Sequence, residues 1–198
     1  MVNTSLASRL AVLALGLSAA AGPALAAGGT ISGKVEATPP KYLEDTVVYL
    51  KNVPGTFPKR TEKMDQKGMK FLPHVLTVTK GDTVDFLNHD NVAHNVYSPD
   101  NEGYNLGTFK QNETRSHVFE KEGTYTQLCS IHPEMLGYVF VGQNPYASPV
   151  DAKGHYAIKN VPPGTYQLEV WNAKLKAPAK SVTVAAGQTV TENLTLKR

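Results

Sequence analysis

The chain has 198 residues, with 20 Lys and Arg against 17 Asp and Glu and a formal net charge of +3. That balance is too weak, and too unclustered along the sequence, for a nucleic-acid binder. The single cysteine excludes a fold stapled by internal disulfides.

Residues 1–26 read as a targeting segment. Arg9 gives a positive n-region, residues 10–21 an apolar h-region, and Ala24-Leu25-Ala26 a small-x-small cleavage site. The expectation is Sec-type export, to the periplasm or otherwise out of the cytoplasm, with cleavage near Ala26. The apolar run is shorter than the ~20 residues of a spanning helix. No later run approaches that length, so no membrane span is expected in the mature chain.

Beyond the leader, alternating apolar and polar residues punctuated by Gly and Pro indicate short strands. Strands are expected over residues 30–35 and 46–50, followed by a proline-rich crossing over 52–58. Leu76 and Val78 alternate before the turn Lys80-Gly81-Asp82, and Val84 and Phe86 alternate after it. Residues 123–128 form a further strand that places Tyr125, Gln127 and Cys129 on one face; Tyr125 is expected to pack inward and Cys129 to emerge at the rim. A second proline-rich crossing spans 144–149. The turn Asp151-Ala152-Lys153-Gly154 then opens one strand and Pro162-Pro163-Gly164-Thr165-Tyr166 the next. Residues 181–184 and 189–196, separated by Ala185-Ala186-Gly187-Gln188, are expected to make a closing hairpin. The chain is all-β, with enough length for two small sandwiches.

The chemistry concentrates in Cys129-Ser130-Ile131-His132-Pro133-Glu134-Met135, which puts a thiolate, an imidazole and a thioether on one loop. A mononuclear copper centre uses two histidines and a cysteine in a plane with a weak axial methionine. His94, at the end of the strand-and-loop segment after Gly81-Asp82, supplies the second imidazole. Taken singly, Cys129 reads as a small buried hydrophobe and Met135 as core filler. His89, in the same loop as His94, is its rival. His74 reads as structural or, with Met64, Met69 or His117, as a second metal site. His155 reads as a surface residue, and Glu134 as a solvated loop carboxylate.

In this order these residues resemble the cupredoxins. The likeness runs from Met64 to Val141, through Phe71-Leu72-Pro73, Lys80-Gly81-Asp82-Thr83-Val84, His94-Asn95-Val96 and the approach from Phe119 to Tyr125 that leads into Cys129. The short Cys-x2-His-x2-Met spacing is similar to the ligand loop of amicyanin. The resemblance implies a Greek-key β-sandwich over residues 62–142 that holds one type 1 copper, cycling between Cu(I) and Cu(II), on His94, Cys129, His132 and Met135. It implies that the Asn95 backbone N–H donates to the cysteine sulfur. It also makes the edge of His132, among Ile131, Pro133 and Leu136, the electron's exit. Gln127 departs from the family, which commonly carries an aromatic there.

Residues 151–170 resemble the carboxypeptidase-regulatory-like (transthyretin-like) sandwich. The opening strands of that fold are absent between residues 141 and 151, and matching strands stand at the N-terminus. The expected second sandwich is therefore built from residues 27–55 and 146–198, with the cupredoxin inserted into it.

The combined resemblance implies an exported one-electron carrier. Its partner would be a redox protein such as a c-type cytochrome or a periplasmic oxidoreductase. It would not be an enzyme, since oxidases and nitrite reductases of related fold need further histidine-rich sites, and a binuclear electron-transfer site needs a second cysteine. Two alternatives share the same residues: a periplasmic copper binding and delivery protein, and a cell-surface interaction module with a structural copper. Trp171 reads as packing rather than as a sugar platform.

Overall fold

A computed structural model describes residues 27–198 together with Met1. The expected leader, residues 2–26, lies outside the described residues. Among the described residues no helix is long and apolar enough to cross a membrane.

Two sheets form the first unit. In one, β1 (Gly29–Ala37) pairs antiparallel with β13 (His155–Val161) and parallel with β16 (Thr189–Thr191) and β17 (Leu194–Leu196). In the other, β2 (Thr46–Lys51) lies between β12 (Ala147–Pro149) and β14 (Gly164–Asn172), and β15 (Lys180–Val184) closes the edge. Alternation turns Ile31, Val35, Tyr156 and Ile158 of the first sheet toward Val48, Leu50, Leu168 and Val182 of the second, giving a dry core. Burial of each such side chain contributes about 1.5–3 kcal/mol before entropy is set against it.

The C-terminal strands do not form the expected hairpin. β15 pairs with β14, whereas β16 and β17 cross to the opposite sheet and run parallel to β1. A hairpin would leave one edge of β1 unpaired and put all four apolar residues, Val182, Val184, Leu194 and Leu196, in one sheet. The crossing lets them close the same core from both sides. It requires glycine at position 33, where an added Cβ would collide with the Glu192 carbonyl oxygen.

Between β2 and β12 the chain makes a second sandwich. One sheet has the order β5 (Val75–Thr79), β11 (Leu136–Gly142), β10 (Gly123–Leu128), β7 (His94–Ser98), β8 (Tyr104–Phe109). The other has the order β4 (Phe71–Leu72), β3 (Thr61–Gln66), β6 (Thr83–Asn88), β9 (Thr114–Val118). Met64, Phe86, Val96, Phe119, Tyr125 and Val139 fill the space between them.

The two crossings run side by side. Buried Asn144 donates to the Leu50 carbonyl at 2.8 Å and accepts from the Tyr146 N–H at 2.9 Å, while Gln143 donates to the Val53 carbonyl. The N-terminal strands therefore pair with the C-terminal ones, and the second sandwich is inserted between them. The outer face of β2 and β14 packs on β5 and β11, burying Val47, Val75, Tyr138 and Phe140. Trp171 is an interface residue, its ring 5.2 Å from Tyr138 and 6.3 Å from Phe140.

Candidate metal centre

The site lies where β7 begins and where β10 hands over to β11. Leu128, the last residue of β10, pairs with Tyr97 on one side and Leu136 on the other. This closes residues 129–135 into a loop beside His94. His94 and Cys129 are buried, at 0% and 2% exposure. The His94 Nδ1 lies 3.0 Å from the His132 Nδ1, which lies 3.8 Å from the Cys129 Sγ. One donor atom from each of the three residues falls within 4.8 Å of the others. Cys129 directly follows β10, at the rim of the sandwich, and is buried there.

Met135 is buried at 1% exposure in the same apolar cluster as Cys129, and its N–H donates to the His132 carbonyl at 3.0 Å. That bond turns the loop tightly. The Asn95 N–H donates to the Cys129 Sγ at 3.4 Å. The Asn95 side chain braces both sides of the site, accepting from the Ser130 N–H and donating to Asn105.

Sequence reasoning missed Asp90. One of its oxygens accepts from the His94 Nε2 at 2.8 Å, and the carboxylate also accepts from the N–H groups of Gly68 and Met69 at 2.6 and 2.9 Å. Burial pushes the Asp90 pKa up, but the two amides and His94 outweigh it and hold the carboxyl below its usual range. A carboxylate at Nε2 places the imidazole proton there and leaves the Nδ1 lone pair facing Cys129 and His132. A carboxylate four residues before His94 was the available signal.

The donor set fits a soft, redox-active metal: a cysteine sulfur and two imidazole nitrogens suit copper in both oxidation states. The other histidines stand apart. His89 bonds Asp65 at 2.8 Å and leaves His94 as the converging residue of its loop. His74 bonds Asp45, and His117 stacks on Tyr104 at 3.9 Å. Met64 is buried in the core and Met69 is exposed. Among the described residues only His94, Cys129 and His132 form a convergent group of three His, Cys or acidic donors, and His74 is not part of it. His155 lies at the surface, 3.5 Å from Asp151. Gln127 is buried and accepts from the Tyr104 hydroxyl, which is how a polar residue is accommodated there.

Comparison with known proteins agrees with this geometry. Residues 59–142 match the model of copper binding proteins of the plastocyanin/azurin family. Through this segment the chain belongs to the cupredoxins. Residues 141–197 match the carboxypeptidase regulatory-like domain, the second fold of the molecule. No curated protein matches the chain. Among solved structures, a purple cupredoxin from Nitrosopumilus maritimus is 30% identical, covering 41% of this chain and 99% of its own, with a TM-score of 0.38. A point mutant of amicyanin in its reduced state is 30% identical over 41% of this chain and 81% of its own, with a TM-score of 0.39. A copper-containing nitrite reductase from Thermus scotoductus is 27% identical over 47% of this chain and 24% of its own, with a TM-score of 0.41. Copper is the metal of this cupredoxin family, and the cluster of His94, Cys129 and His132 could hold a single ion.

Proposed function

We propose that this cupredoxin is an exported one-electron carrier in which His94, Cys129, His132 and Met135 would hold one type 1 copper. The observation that carries the reading is the convergence of a buried cysteine sulfur with two imidazole Nδ1 atoms. Bound there, copper would supply a reversible Cu(II)/Cu(I) couple. The chain's own residues do the rest. Asp90 fixes the His94 tautomer, the Asn95 amide draws charge from the sulfur, and buried Met64, Phe86 and Val139 keep the ligand frame from rearranging between the two states.

His132 is the ligand nearest solvent, and the exposed apolar residues Ile131 and Leu136 stand on either side of it in the sequence. A small apolar surface of this kind suits the brief encounters of redox proteins, with a c-type cytochrome or a periplasmic oxidoreductase as the class of partner. The expected leader at residues 1–26 supports export, to the periplasm or otherwise out of the cytoplasm.

The test is a potentiometric titration of the copper-loaded protein with small mediators and with reduced cytochrome c. A reversible one-electron couple and rapid exchange with the cytochrome are expected. A protein that binds Cu(I) tightly yet passes it to a chelator without redox cycling would make it a copper-delivery protein instead.

A further inference from the structure

The regulatory-like sandwich reaches the copper loop through one histidine. Asp45, which directly precedes β2, accepts from the His74 Nε2 at 2.7 Å, and the other ring nitrogen of His74, Nδ1, lies 3.2 Å from the Leu136 carbonyl oxygen. Leu136 is covalently next to Met135 and pairs with Leu128, next to Cys129. It lies just before the ladder between β11 and β5, which begins at Tyr138 and Val75, so the histidine takes up a carbonyl at the end of the ladder.

The contact is closely fitted on every side. The His74 carbonyl accepts from the Tyr138 N–H at 2.8 Å, and its ring stands edge-on to Tyr138 at 5.6 Å. Gly137 allows β11 to approach this closely, because an added Cβ would lie 2.8 Å from the Phe71 Cβ and 3.2 Å from the His74 carbonyl oxygen. A carboxylate and a carbonyl both accept, so a ring that bonds both carries a proton on each nitrogen.

We propose that Asp45 of the regulatory-like sandwich is a positioning residue for the copper site, acting through His74 on the Leu136 carbonyl and so on the seat of Met135. The inserted cupredoxin then does not position the loop from Cys129 to Met135 alone; its host domain helps to set where the Leu136 carbonyl, and with it Met135, is held. This rests on the copper reading above, and Asp45 lies outside the segment that matches the copper family. The proximity of Asp45 raises the proton affinity of His74 against the opposing effect of burial, which agrees with a doubly protonated ring.

The test uses the full chain carrying Asp45→Asn, Asp45→Glu or His74→Phe, the last of which keeps a ring against Tyr138. In the metal-free protein, amide hydrogen exchange over residues 130–137 is expected to quicken about 10-fold in Asp45→Asn and His74→Phe. Asp45→Glu is expected to stay near the parent. Loaded with copper, the first two variants should lose about 3-fold in affinity, less than the roughly 10–100-fold typical of groups bonded directly to a metal ligand, with a changed EPR rhombicity and reduction potential. A purely structural contact would loosen the interface strands and leave the loop exchange, the EPR signal and the potential as in the parent; that result overturns the proposal. If Asp45→Asn does not fold, His74→Phe carries the same expectation. A chain that binds no copper would sink the metal reading and leave the exchange result standing, whereas unchanged loop exchange in a copper-binding chain would sink this relay alone.

Discussion

The two sandwiches both close over apolar cores but differ in how many polar side chains they bury. The regulatory-like unit buries Ile31, Val35, Val48, Leu50, Ile158, Leu168 and Leu196 against one another, and its buried polar side chain is Thr46, with Asn144 at the crossing. The cupredoxin buries Gln66, Thr79, Asp82, Asn88, His94, Asn95, Ser98 and Gln127. Burying so many polar groups costs free energy unless each is bonded. Most of them are: Asp82 accepts from Arg60 and Thr79, and Asn88 donates to Val92 and Phe109. Some of these bonded groups, among them His94 and Asn95, stand at the ligand cluster, and others, such as Asp82 and Thr79, at the far end of the sandwich.

The largest test of that contrast is in the cores. Phe86→Ala should cost about 3–5 kcal/mol in chemical denaturation of the metal-free protein, and copper should recover part of it by mass action. Ile158→Ala in the host should cost about 2–5 kcal/mol, with no recovery specific to the host transition. Equal recovery of both would mean that the two units unfold as one.

Asp90→Asn comes next. The fold should persist, but copper affinity should fall by about 10–100-fold, read by competition with a chelator. Trp171→Ala, at the half-buried interface, should cost about 2 kcal/mol and separate the two units' unfolding transitions in calorimetry.

The smallest effects are in pH and have opposite signs in two histidines. His74, faced by Asp45 and Glu44, has its pKa raised, first by the Asp45 bond. Its contribution to stability is full below about 6.5, the unfolded value, and fades as pH rises through the higher folded value. His117, faced by Glu102, has its pKa lowered, first by burial. Its neutral form is the one the fold prefers, so stability falls as pH drops from about 6.5 toward the lower folded value. In urea denaturation against pH, His74→Phe should remove the first dependence and His117→Phe the second.

Much of this was legible in the sequence because period-2 alternation and Gly/Pro turns are local signals. The cluster of His94, Cys129 and His132 was legible because metal chemistry restricts which residues can serve. The opening strands of the host were recoverable at the N-terminus because their partners were missing elsewhere. What was not legible was long-range pairing. Residues 181–184 and 189–196 look like a hairpin locally, and only the uncovered edge of β1 sends them to opposite sheets. Asp90 and Asp45 were missed for a related reason: a carboxylate's role depends on which histidine the fold sets beside it.

The most direct measurement of the central claim is the visible and EPR spectrum of the mature protein titrated with Cu(II), beside Cys129→Ser. An intense sulfur-to-copper charge-transfer band with narrow copper hyperfine splitting is expected, saturating at one copper per chain and absent in the variant. A colourless protein, or a band that survives the loss of the Cys129 sulfur, would contradict it.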